Sequence, residues 1–172
     1  MKKLEIPKNM HIAMIWAQDL SASLGDGKKI PWHVPDDLKH FKACTHGYPV
    51  VMGKNNYLSL TKALPGRKNV VISTSLEHLD DAQVVSSPQA AIDYLSDSDK
   101  IWIVGGAQIY KEFMPYAHEL VVSYLDFCRP ASIKAPKIDD SWIVNPKASD
   151  KKFRPQSGEG RFKVVSFIRR HE

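Results

Sequence analysis

Residues 29–41, KIPWHVPDDLKHF, hold two adjacent carboxylates in apolar company. Asp36 and Asp37 follow Pro35 and stand among Trp32, Val34, Leu38 and Phe41. A carboxylate avoids such surroundings unless something pairs with it, so an inward-facing acid here is a candidate for ligand binding or proton handling. Pro35 suits the run-in to a helix, and an acid beside it is favoured by the positive helix end. On a helix from Asp36 to about Ala43, neighbours on one face lie three or four positions apart. Asp36 then shares its side with Lys39 and His40, and Asp37 shares its side with Phe41. Asp36 is the expected cap on the wet face and Asp37 the expected inward acid. Two plain capping residues fit the helix pattern equally well.

Two further stretches suit a phosphate. In IWIVGGAQIY a strand delivers Gly105 and Gly106 to the start of a helix, where bare backbone N–H groups and the helix dipole favour an anion. In VVMGKNNY, Gly53 separates strand from helix and Lys54 adds a positive charge. Either junction alone could serve packing; the pair suggests a dinucleotide held by two helix starts. Neither is GxGxxG or GxxxxGK[ST]. HExxH, GxSxG and Cys/His metal spacings are missing, so no metal is expected. One acid working with a borrowed cofactor remains open, because a cofactor can carry the difficult chemistry.

The elements that must position these residues alternate. HIAMIWA (11–17), YPVVMG (48–53), the run within 64–75, AQVVSS (82–87), KIWIVGG (100–106), ELVVSYLDF (119–127) and GRFKVVSFIRR (160–170) read as strands. Helices are expected at 36–43, from Lys54, at 87–96 and at 107–117, and residues 23–32 read as a loop. This order predicts an α/β fold, a mixed but mostly parallel sheet of about eight strands flanked by helices, with the last two strands antiparallel at the edge. Ligands gather at the carboxyl ends of strands in such sheets.

The chain has 172 residues, 43% of them apolar, and a net charge of +5 from 24 basic and 19 acidic residues. One domain covering 1–172 is expected, with a core of ordinary size. No Lys/Arg block with interleaved aromatics supports nucleic-acid binding, and no run reaches the ~18 apolar residues of a membrane helix. Cys44 and Cys128 stand far apart, which suits two free thiols in a reducing cytoplasm.

With these residues in view, the stretch WAQDLSASLGDGKKIPWHVPDDLKHFKACTHGYPVVMGKNNYLSL resembles bacterial, chromosomal-type dihydrofolate reductase. LPGRKNVVIS and VGGAQIYKEFMP extend the likeness in the right order and spacing. The family motif LPWxxPxDLxxF is matched by Ile30, Pro31, Trp32, Pro35, Asp37, Leu38 and Phe41. The resemblance implies hydride transfer from NADPH to carbon 6 of dihydrofolate, with protonation at nitrogen 5. It implies a monomer that takes dihydrofolate and antifolates as small-molecule partners, with no nucleic acid and no membrane.

The resemblance also assigns roles. Asp37 would bond the pterin 2-amino group and ring nitrogen. Trp32 would hold a water beside it, Ser123 would support it in place of the usual Thr, and Ile30 would sit on a lid over the nicotinamide. Ile15, Leu38, Phe41, Leu60, Leu64 and Val104 would form the apolar slot. Lys62 would line the substrate site, and Arg67 would grip the glutamate α-carboxylate. For NADPH, Ala17 with Ser23, Leu24, Gly25, Asp26, Gly27, Lys28 and Lys29 would meet the nicotinamide side. Gly53, Lys54, Asn55 and Asn56, with Gly105, Gly106, Ala107, Gln108, Ile109 and Tyr110, would meet the diphosphate, across a cis Gly105–Gly106 bond. Lys54, Ser73, Thr74 and Ser75 would surround the 2′-phosphate.

The chain departs from the family at Asn56 (usually Thr), at Lys54 (usually Arg) and at Ala131-Ser132-Ile133, where Gly-Asp-Thr normally braces the lid. A less firmly braced lid is therefore expected. A pyrimidine or pteridine reductase of related fold would lack the Trp32, Pro35 and Asp37 segment. A non-catalytic nucleotide-binding module would need neither Asp37 nor the paired glycines.

Overall fold

The computed structural model describes residues 3–25, 35–60, 62–155 and 160–170. Its first half runs β1 (His11–Gln18), β2 (Ser23–Gly25), α1 (Pro35–Thr45), β3 (Val50–Gly53), α2 (Lys54–Leu58), β4 (Asn69–Ile72), β5 (Gln83–Val85) and α3 (Pro88–Tyr94). The second half runs β6 (Lys100–Ile103), α4 (Ala107–Phe113), β7 (Glu119–Leu125), β8 (Ile133–Lys134), β9 (Trp142–Val144), β10 (Arg154–Pro155) and β11 (Arg161–Arg169). Single-turn 3-10 helices lie at Met114–Tyr116 and Pro146–Ala148.

The strands line up in the order β10-β11-β7-β1-β6-β3-β4-β5, with β9 added on β11. Pairing is parallel from β7 through β5, and β11 runs antiparallel to β7, β9 and β10. The expected α/β order therefore holds, and the chain adds short strands that carry no periodic signal of their own. β2 and β8 form a separate two-stranded ribbon from residues read as loop.

Strand alternation sorts β1 into two cores. Ile12, Met14 and Trp16 join the core that holds Ile92, Tyr110 and Phe113, from α3 and α4. Ala13 and Ile15 face the other way, with Val50, Met52, Trp102, Val104 and Val121, and α1 covers this face through Phe41 and Cys44. At α3, Ser87 caps the helix by accepting the Ala90 N–H at 3.0 Å, with Pro88 as first residue. α1 begins one residue earlier than expected, so Asp36 stands inside the first turn beside Asp37 rather than at the cap. Both acids still lie where the helix dipole favours negative charge.

Candidate active site

Because β1, β6, β3 and β4 are parallel, their carboxyl ends share one edge of the sheet, and α1 lies over one face. Asp37 turns inward from α1, and the hydroxyl of buried Ser123 on β7 donates to its carboxylate. Ser123 stands opposite Ala17 on β1. The other oxygen, Asp37 Oδ1, is shut off from solvent and has no hydrogen-bond partner among the described residues. Burial pushes the Asp37 carboxyl above its ordinary range, against the smaller pulls of Ser123 and Arg154. An unpaired buried acceptor costs about 1–3 kcal/mol, which a ligand donor would relieve.

Beside it lies an apolar wall. Ile15 and Val104 are buried in the core under α1, and Ala17, Phe41, Leu60 and Leu64 pack on the same cluster. Leu38 is 52% exposed and stands outside that cluster. Lys62 is exposed as well. Arg67 closes the far end. Its Nε donates to Thr45 Oγ1 at 2.8 Å, one Nη2 hydrogen goes to Lys42 O at 2.8 Å, and Nη1 donates to Pro65 O. A guanidinium has five N–H groups, so one hydrogen on each terminal nitrogen has no partner among the described residues.

The opposite side of the edge suits a dinucleotide. The Gly53 N–H donates to Gly105 O at 2.8 Å, which ties the two strand-to-helix junctions together. Gly105 has φ +114°, and a Cβ there would lie 3.1 Å from Tyr110 Oη. The Gly105–Gly106 bond is cis. A Cβ on Gly106 would meet none of the described residues within 4 Å, which leaves room at the start of α4. Lys54 Nζ donates to Ser75 Oγ at 2.9 Å, and Ser73 Oγ lies 3.3 Å from Ser75 Oγ. A cation among hydroxyls beside two glycine-opened helix starts fits a phosphorylated dinucleotide.

Several residues expected to meet NADPH also make contacts within the protein. Ile109 and Tyr110 are buried, and Tyr110 donates to Ile15 O at 2.7 Å. They hold α4 against the sheet. The Asn56 amide donates to Val104 O at 3.0 Å, joining α2 to the end of β6. Gln108 bonds Glu112 at 3.2 Å. Thr74 is exposed. Asp26, Gly27, Lys28, Lys29, Ile30 and Trp32 lie outside the described residues.

One participant is absent from the sequence reading. Asp19 is fully buried and collects four donors: Ser21 N–H, Ser21 Oγ and Ser23 N–H on Oδ1, and Arg129 N–H on Oδ2 at 2.6 Å. Ser23 Oγ in turn accepts from Ala131 N–H and Lys134 Nζ. A buried carboxylate thus ties the root of this loop to the segment leading into β8. An Asp with Ser two and four positions on is a local turn signal that could have revealed it.

A family model described as dihydrofolate reductase matches residues 11–166. The chain belongs to the dihydrofolate reductase family. Among its relatives, dihydrofolate reductase type 3 of Salmonella typhimurium is 42% identical over 68% of this chain and 73% of that protein. Dihydrofolate reductase of Neisseria meningitidis serogroup B is 35% identical over 93% of this chain and 99% of that protein. A solved structure of dihydrofolate reductase from Enterococcus faecalis, complexed with NADP(H) and RAB-propyl, superposes with a TM-score of 0.85 at 24% identity, covering 96% of this chain and 99% of that one. That superposition shows the reductase fold. Among the described residues, no helix is long and apolar enough to cross a membrane, and no cluster of three or more metal-ligating side chains occurs.

Proposed function

We propose that this chain reduces 7,8-dihydrofolate to tetrahydrofolate with NADPH. The observation that carries the reading is Asp37 Oδ1, a buried carboxylate oxygen that has no partner among the described residues and lies under α1 beside an apolar cluster. Such an oxygen calls for a ligand with adjacent N–H donors on a flat apolar ring, and a pterin has both. Ser123 orients the carboxylate from below, while Ile15, Phe41, Leu60, Leu64 and Val104 exclude water from the ring faces. The remaining N–H groups of Arg67 suit the glutamate carboxylate at the other end of the substrate.

Gly53, Gly105, Gly106 and the Lys54/Ser73/Ser75 group would hold NADPH, which supplies the hydride when bound. Asp37 accepts the pterin hydrogen bonds in its ionised form, and its charge makes protonation of the nearby ring nitrogen easier. Leu38, half exposed beside Asp37, gains cover when the slot fills. The unpaired thiols Cys44 and Cys128 suit a reducing cytoplasm. We further assign the chain as a monomer.

The test is loss of NADPH absorbance on adding dihydrofolate. Turnover that disappears in Asp37→Asn, with NADPH binding retained, supports the assignment. A wild-type protein that binds NADPH without dihydrofolate-dependent oxidation overturns it.

A further inference from the structure

A fixed cation stands on the face of the sheet that α1 covers. Asp150 is locked onto β11: its N–H donates to Val164 O at 2.8 Å, and its carboxylate accepts the Val164 N–H at 3.0 Å. The same carboxylate grips Arg154 with two prongs, Nε at 2.6 Å and Nη2 at 3.1 Å. Arg154 pairs with Phe162 across β10 and β11, and its guanidinium lies over that ring, 5.2 Å from the centroid.

Strand parity then places this cation. Phe162 and Val164 belong to the core beneath α1, and they stand opposite Leu125 and Ser123 in the β7–β11 register. Cross-strand partners project to the same face. Val164, which anchors Asp150, and Ser123, which donates to Asp37, are therefore direct neighbours on the α1 side. The guanidinium over Phe162 therefore lies on the face of the sheet that α1 covers.

We propose that Arg154, held by Asp150 over Phe162 on the face of the sheet that α1 covers, is a positioning residue that acts through Asp37: its fixed charge favours the anionic form of that carboxylate. The role of Asp37 itself rests on the reductase reading above. Three groups on α1 respond to this cation. It pulls the Asp37 carboxyl down, after burial and Ser123. It adds to burial in pushing the His40 imidazole down, while Asp150 opposes. The Cys44 thiol is raised chiefly by burial and then Glu119, with Lys100 and, last, Arg154 working against them. The charged and titratable groups of α1 itself are Asp36, Lys39, His40, Lys42 and Cys44, and those acting on the helix from outside are Glu119 with Lys100 toward the far end of β7 and Arg154 with Asp150 on the β10–β11 side.

The experiment is a carbon-13 carboxyl NMR titration of the ligand-free protein, with Asp37 assigned from the resonance lost in Asp37→Asn. In Arg154→Gln the Asp37 midpoint should rise by about half a pH unit, the scale of one partly screened charge at this remove. Arg154→Lys should stay within about 0.2 unit of the parent, because charge rather than the fork carries the effect. If Arg154→Gln does not fold, Arg154→Met keeps the apolar stem on Phe162 and takes its place. The pH profile of single-turnover dihydrofolate reduction should move in the same direction. An Asp37 midpoint unchanged in a folded charge-free variant overturns the proposal. A midpoint that moves in a protein unable to reduce dihydrofolate leaves the electrostatic role standing and overturns the reductase reading instead.

Discussion

The hydroxyl of Ser123, buried on β7, donates to the carboxylate of Asp37 on α1. This bond crosses from sheet to helix, while Asp37 Oδ1 is buried with no partner among the described residues. A serine does here what a threonine would do with a stiffer rotamer.

Removing that donor should damage turnover without damaging the fold. A hydrogen bond to a charged group contributes about 1.5–3 kcal/mol, so Ser123→Ala should lower kcat/KM for dihydrofolate by roughly tenfold or more at neutral pH. The hydroxyl pulls the Asp37 carboxyl down, so its loss shifts the pH profile toward higher pH. Ser123→Thr should restore both. A Ser123→Ala profile superimposed on that of the parent would remove Ser123 from the mechanism.

Lys54 meets Ser75 at 2.9 Å, close to Ser73. A point charge there favours NADPH over NADH, less strongly than an arginine fork would. Lys54→Ala should cut the preference by about ten- to a hundredfold, from the same range for a charge-assisted contact. The comparison is kcat/KM for both cofactors in parent and variant, and equal discrimination would exclude Lys54.

The legible parts of the molecule were those whose pattern is local. The apolar runs at 11–17 and 100–106 predicted strands because burial on both faces leaves a continuous apolar signature. The paired glycines announced a junction because so few other reasons put two glycines after such a run. β2, β8, β9 and β10 could not be read: strands of two or three residues hold no period, and their partners lie far away in sequence. Arg154 carries no local signal, since its place depends on Asp150 and on the register of β11. Asp36 was misplaced by one position because Pro35 entered the helix instead of preceding it.

Asp19 shows what a distant pairing contributes. Its four donors come from Ser21, Ser23 and Arg129, and they join the root of β2 to the segment leading into β8. Burial works to raise this carboxyl, but the donors outweigh it and hold it below its ordinary range. The stabilisation is therefore present above the unfolded carboxylate range and is lost as pH falls through the lowered value. Asp19→Asn should destabilise the protein by about 2–4 kcal/mol near neutral pH, with a smaller difference in acid. Denaturant unfolding at both pH values measures it. Hydrogen exchange at the Arg129 and Ala131 amides should quicken in the variant; unchanged protection at Arg129 would show that Oδ2 does not hold that segment.

Asp37 reverses the sign of that argument. Burial raises its carboxyl, and one oxygen goes unpaired among the described residues. The ionised acid therefore weighs on the ligand-free fold, and the cost grows as pH rises from the unfolded carboxylate range through the raised native value. Asp37→Asn removes the charge and keeps the size. It should make the ligand-free protein more stable at pH 7 by about 1 kcal/mol, or roughly 2–4 °C in Tm for a chain of this length, with the gain fading in acid. Dihydrofolate reduction by the same variant should fall by orders of magnitude at pH 7. It should recover in part at low pH, where solvent can protonate the substrate beforehand. Asp36→Asn should do the opposite. It weakens only a first-turn charge against the helix dipole, worth about 0.3–1 kcal/mol, and leaves turnover nearly intact. Thermal melts and single-turnover rates across pH 5 to 9 separate the two acids. A dead Asp36→Asn beside a healthy Asp37→Asn would mean that the wrong carboxylate has been placed in the slot.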